Sequence, residues 1–119
     1  MPAHLHFRDL RVWDAARLLA EDVHAAARGG RRRDRTGVWN QACRSAESIG
    51  ANIAEGCGRT SRPDRMRFFA IALGSLRETQ HHLRLCCDLG LLDVEAYRRI
   101  AGRAGVTRRM LMTLMGRAT

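Results

Sequence analysis

Apolar residues recur by threes and fours along four stretches of this chain, and few stretches alternate apolar and polar positions as strands do. The first stretch, about residues 9–28, aligns Leu10, Trp13, Ala16, Ala20, Val23 and Ala27 on one stripe. Asp9 stands where a cap is expected and Gly29-Gly30 where a helix would stop. The second, about 36–55, places Trp39, Ala42, Ala46, Ile49 and Ile53 on one line. The third, about 62–89, carries Met66, Phe69, Leu73, Leu76, Leu83 and Cys87 in heptad-like steps. The fourth, about 93–116, carries Tyr97, Ile100, Ala104, Leu111 and Leu114, with Gly102 and Gly105 weakening its middle. The third helix has a second face of Phe68, Ala72, Ser75, Thr79, Cys86 and Leu89. Two apolar stripes on one helix call for burial on both sides, and in so small a chain the second suits another subunit. The pattern therefore predicts an all-α fold, an antiparallel up-down four-helix bundle spanning residues 1–119 as one domain, which oligomerises.

Between the second and third helices lies EGCGRTS, residues 55–61, whose glycines, arginine and Thr-Ser pair have the look of a phosphate loop. A Walker loop would need a glycine where Ile53 stands, and a dinucleotide fingerprint would need one near Ser61. Both also need a preceding strand, and SAESIGANIAE reads as a helix. The stretch instead predicts a helical corner. Gly56 is placed to end one helix in the left-handed conformation. Ser61 caps the next, with Pro63 in its first turn and Asp64 in the capping-box place.

Charge changes the picture. All 21 basic residues are arginine, against 12 acids, for a net charge of +9. A GC-rich genome accounts for arginine over lysine but not for the excess, which favours polyanions or an acidic protein face. The linker RGGRRRDR, residues 28–35, concentrates that charge and reads either as a backbone-contacting segment or as a solvated loop. The four cysteines, Cys43, Cys57, Cys86 and Cys87, form no C-x-x-C pair. Buried thiols are expected at three of them, with Cys57 in the turn and open to solvent. No apolar h-region heads the chain and no run approaches the ~20 residues of a membrane span, so a cytoplasmic location is expected and no membrane partner.

FRDLRVW (7–13), SIGANIAEGCGR (48–59), RFFAIALGSLRE (67–78) and DLGLLD (88–93) together carry a family likeness. The chain resembles the four-helix-bundle proteins encoded in intervening sequences of bacterial large-subunit ribosomal RNA. That family is in turn similar to the accessory protein of diversity-generating retroelements, a basic pentameric barrel that engages a reverse transcriptase and nucleic acid. The resemblance implies a homopentameric ring or barrel of antiparallel bundles with no known catalytic activity and no cofactor. Gly50 departs from the family's usual proline, and Glu47 from its usual apolar residue; Arg44 beside Glu47 offers an ion pair there.

Asn52 and Glu55 share a helix face, and Arg59, Arg67, Ser75 and Glu78 are further polar positions of the family pattern. Together they are expected to form a structural polar network near the corner, with a ligand site as the sharper alternative. Glu78-Thr79-Gln80-His81 is an E-x-x-H, but a di-iron bundle needs two such motifs and two more glutamates. His4-x-His6 lies near a terminus. No metal site is therefore expected, and no enzyme. The sequence predicts a helical adaptor that binds RNA or DNA backbone, with or without a protein partner. The expected contacts are Arg28, Arg31, Arg32, Arg33 and Arg35, joined by Arg98, Arg99 and Arg103. The competing reading is a purely structural or protein-interaction oligomer.

Overall fold

A computed structural model describes residues 6–30 and 33–116. Four helices follow a short 3-10 turn at Phe7–Asp9: α1 (Arg11–Arg28), α2 (Val38–Cys57), α3 (Arg62–Asp88) and α4 (Val94–Leu114). Among the described residues there is no strand. The molecule measures 47 × 22 × 19 Å, little more than the length of α3. Each helix packs on its neighbours in sequence, and α4 closes the bundle against α1. The cross-helix contacts run in opposite senses. His24 meets Glu47 and Trp13 lies near Gly50, Ser45 meets Thr79 and Ser48 meets Ser75, and Arg84 lies over Tyr97. Consecutive helices are therefore antiparallel.

Ser61 and Asp93 set the starts of α3 and α4, accepting the backbone N–H of Asp64 at 3.2 Å and of Ala96 at 2.8 Å. Asp9 does not cap α1, as the sequence led one to expect. It lies inside the 3-10 turn, and Leu10 holds the cap position without a side-chain bond. At the far end of α3, Gly90 has φ 74°, and the N–H groups of Gly90 and Leu91 return to the carbonyls of Cys87 and Cys86. This Schellman closure needs the left-handed conformation that glycine adopts without strain.

The corner at residues 55–61 is built differently from the expectation. Gly56 does not stop α2, which continues to Cys57 with Gly58 as a right-handed cap, and Gly56 has no positive φ. It is buried, and a Cβ there would stand 2.6 Å from Phe69 Cε1 and 3.2 Å from the carbonyl of Arg65. The glycine lets α2 and α3 come together where they diverge from the turn.

The core contains the predicted α2 line in full, with Phe69, Leu73, Leu76 and Leu83 of α3 and Ile100, Ala104 and Leu111 of α4. On α1 the stripe is rotated. Val12, Ala16, Leu19 and Val23 are buried, while Leu10, Trp13, Ala20 and Ala27 flank them half-buried. The larger aliphatic side chains take the centre, where burial removes most apolar area from water. The second face of α3 is also corrected: Ala72, Ser75, Thr79 and Cys86 are buried within the chain, and Ser75 and Thr79 bond to α2. The middle of that face is used by α2, while Phe68 is half-buried and Leu89 exposed at its ends.

Candidate functional site

Small hydroxyl side chains on α2 and α3 make a seam along this contact. Ser45 Oγ and Thr79 Oγ1 lie 2.8 Å apart, and Ser48 Oγ and Ser75 Oγ 2.9 Å apart. Asn52 Nδ2 donates to the Ser48 carbonyl at 2.8 Å and to its hydroxyl at 2.9 Å. Buried hydroxyls demand partners, and here each finds one across the helix crossing. An open groove of about 360 Å³ follows the seam, lined by Gln41, Arg44, Ser45, Ser48, Ser75, Glu78 and His82.

The six residues expected in one polar network fall into two groups. Asn52 and Ser75 belong to the seam, and Glu78 lines its groove without an ion pair among the described residues. Glu55, Arg59 and Arg67 gather at the corner with Asp64. Arg59 reaches Glu55 and Asp64 at 3.7 Å each, and Arg67 reaches Asp64 at 3.1 Å. Both guanidinium groups lie over the Phe68 ring, 4.6 and 4.5 Å from its centroid. The main brace of the corner is one that sequence reading missed. Arg65 is buried, and its Nη1 donates to the carbonyls of Arg59 and Thr60 at 3.2 and 3.0 Å. An arginine in a helix-starting run gives no local sign that it will turn back onto the preceding loop.

Glu78 and His81 do not converge either. His82, one residue on, shares the groove with Glu78, while His81 is exposed. Burial, with some help from His81, pushes the His82 imidazole below its usual value, against the pull of Glu78. Among the described residues no group of three or more His, Cys, Asp or Glu is placed to hold a metal ion. His4 lies outside the described residues. Glu47 pairs with His24 of α1 at 2.7 Å, across the helix contact, and not with the Arg44 beside it.

Cys43, Cys57 and Cys86 are buried free thiols, and Cys87 is half-buried. Cys57 is thus not the solvent-exposed thiol expected of a turn residue, because α2 runs on through it. Burial raises the Cys43 and Cys57 thiols and pushes Cys86 up to about 12, which leaves them almost wholly protonated and poorly nucleophilic at neutral pH.

With the bundle, seam and corner in place, the chain can be set beside known proteins. The family model described as 23S rRNA-intervening sequence protein matches residues 8–113. The chain belongs to this family. It is also similar to the crystal structure of a protein with unknown function from the S23 ribosomal protein family of Bacteroides thetaiotaomicron VPI-5482. The TM-score is 0.80 at 25% identity, covering 87% of this chain and 97% of that one. A comparison with curated proteins finds no match.

Five arginines of this family member are paired with acids among the described residues. Arg17 is held by Asp14 and Glu21, Arg59 and Arg67 by the corner acids, and Arg84 by Asp88. Of the arginines expected to contact nucleic acid, Arg103 is engaged by Asp22 of α1 at 2.8 Å. Arg28, Arg33, Arg35, Arg98 and Arg99 are exposed and make no ion pair among the described residues, whereas Arg31 and Arg32 lie outside them. Arg99 lines a recess of about 680 Å³ with Gly29, Gly30 and Asp22, so the start of α4 lies beside the end of α1, where the basic linker departs. Arg108 and Arg109, on the last turns of α4, are likewise without an ion pair among the described residues and were not singled out from sequence. Their period relative to Arg98 was the available signal.

A second groove, of about 560 Å³, opens between α1 and α2. Trp13, Ala16, Ala20, Ala46, Gly50 and Ala51 line it, and Arg17, Glu21, His24, Arg28 and Glu47 are at its edges. No described helix is long and apolar enough to cross a membrane.

Proposed function

We propose that this protein is a non-enzymatic, homo-oligomeric adaptor whose basic surface binds nucleic acid through its phosphate backbone, alone or with a protein partner. The observation that carries this reading is the uneven neutralisation of its arginines. On α4, Arg98, Arg99, Arg108 and Arg109 have no ion pair among the described residues, and Glu95 is that helix's one acid. Arg28, Arg33 and Arg35 are exposed and likewise unpaired there, as are Arg11, Arg44, Arg62 and Arg77 elsewhere, whereas Arg17, Arg67 and Arg84 are matched by nearby acids. A net charge of +9 creates a field that attracts polyanions. Aromatic residues make up 5% of the chain and Trp39 and Phe69 are buried, which favours backbone contact over base stacking.

The oligomer is a pentamer on the strength of the resemblance. The groove between α1 and α2 is the surface we assign to self-association, since its small side chains admit close approach and the middle of the second face of α3 is buried against α2. We place it in a reducing cytoplasm, a reading that its four free cysteines support.

Two measurements on the purified chain test this. Solution mass by light scattering is expected at five times the chain mass of 13.4 kDa, and a monomer contradicts the assembly. Labelled RNA is expected to be retarded in dilute buffer. No retardation there supports the purely structural oligomer instead.

A further inference from the structure

We propose that the outward line of α4, from Arg98 to Arg109, is the track along which a nucleic-acid backbone lies; this rests on the function proposed above and gives it a location. Between Val94 and Leu114 there are five arginines and a single acid, Glu95. Arg103 is committed to Asp22, and the other four have no ion-pair partner among the described residues. With about 100° of turn per residue, Arg98, Gly102, Gly105 and Arg109 fall within a sector of about 60°. That sector lies opposite Ile100, Ala104, Thr107 and Leu111, which are buried. The two arginines stand about 16 Å apart along the axis, three turns of helix.

Between them the backbone is bare. Glycine is the weakest helix former after proline, so two in one exposed stretch require a reason. None is found within the chain. A Cβ at Gly102 would meet nothing within 4 Å, one at Gly105 would meet only Arg109 Nη1 at 3.7 Å, and neither has a positive φ. The fold would accept side chains at both. A polyanion drawn onto the helix by the flanking guanidinium groups is what would benefit from their absence.

The character of the surface decides the occupant. Protein interfaces centre on apolar or aromatic anchors, and the large apolar side chains that α4 exposes are two valines, Val94 at 52% and Val106 at 46%. A second copy packed line to line would bring Arg98 and Arg109 against like charges. Phosphates suit the forked donors of arginine and need no apolar anchor. The recess shared by Arg99, Gly29 and Gly30 joins the start of α4 to the end of α1.

The test compares two charge-matched pairs of substitutions in the full chain, titrated with a labelled RNA of mixed sequence. Arg98→Gln with Arg109→Gln is expected to weaken binding by about tenfold in dilute buffer. It should also reduce the slope of log affinity against log salt by about 1.4 on a single strand, from two lost phosphate contacts. Arg62→Gln with Arg77→Gln removes equal charge from exposed positions on α3 and is expected to leave affinity within about twofold. Gly102→Gln is expected to raise the melting temperature and yet weaken binding. Equal losses from both pairs, or an unchanged Arg98/Arg109 variant while the parent binds, overturn the track and leave the general function standing. Unweakened binding by Gly102→Gln overturns the close approach between the arginines. A parent chain that binds no RNA in dilute buffer overturns the track and the proposed function together.

Discussion

Gly56 illustrates how much one side chain decides in this protein. Adding a methyl group would drive it into Phe69 and the Arg65 carbonyl, the latter being backbone and unable to rotate away. Gly56→Ala is expected to cost about 2 kcal/mol by overpacking, measured by urea denaturation. Gly74→Ala, where a Cβ meets nothing within 4 Å, should instead gain up to about 1 kcal/mol from helix propensity. The sequence marked Gly56 as important but assigned it the wrong task, because a glycine that ends a helix and one that admits a neighbouring helix look alike in one chain. Asp34 makes a second prediction. Burial alone would raise its carboxyl, but bonds from the Trp39, Thr36 and Gly37 N–H groups and the Thr36 hydroxyl hold it below the usual value. A depressed carboxylate stabilises the fold above its unfolded value of about 3.9 and loses that contribution as pH falls through the lower folded value. Asp34→Ala should therefore lower the melting temperature at neutral pH, with the gap closing in acid. A gap that persists unchanged to low pH would show that the charge has no part in it.

At the level of helices, the contact between α2 and α3 depends on polar as well as apolar matching. Thr79→Val leaves the buried Ser45 hydroxyl without its cross-helix partner and should cost about 1–2 kcal/mol. Ser45→Ala in the same chain should recover part of that loss, giving a coupling of about 1 kcal/mol in a double-mutant cycle. Strict additivity would mean that the two hydroxyls do not support each other. Helical periodicity revealed the existence, order and approximate ends of all four helices. It revealed both faces of α3 as well, yet could not say that one of them belonged to α2. Period alone fixes which residues lie together on a helix, whereas the partner of each face depends on how all four helices pack. The α1 stripe was rotated for the same reason, since Ala16 and Val23 fit either version and only packing showed that Leu19, not Ala20, lies at the centre.

For the whole molecule, the sequence carried the family through motifs spread along the chain and carried the charge through composition. The distribution of that charge was only partly legible. Arg98 and Arg99 were recognisable as a basic cluster on a helix, but the capture of Arg103 by Asp22 joins residues far apart in sequence. The central claim is that the uncompensated arginines bind phosphates as part of an oligomer. The most direct measurement is the affinity of the full chain for labelled RNA across a series of salt concentrations. Log affinity is expected to fall linearly with log salt, by roughly 0.7 per phosphate neutralised on a single strand and 0.9 on a duplex. Affinity that does not change with salt, or no binding even in dilute buffer, would contradict it.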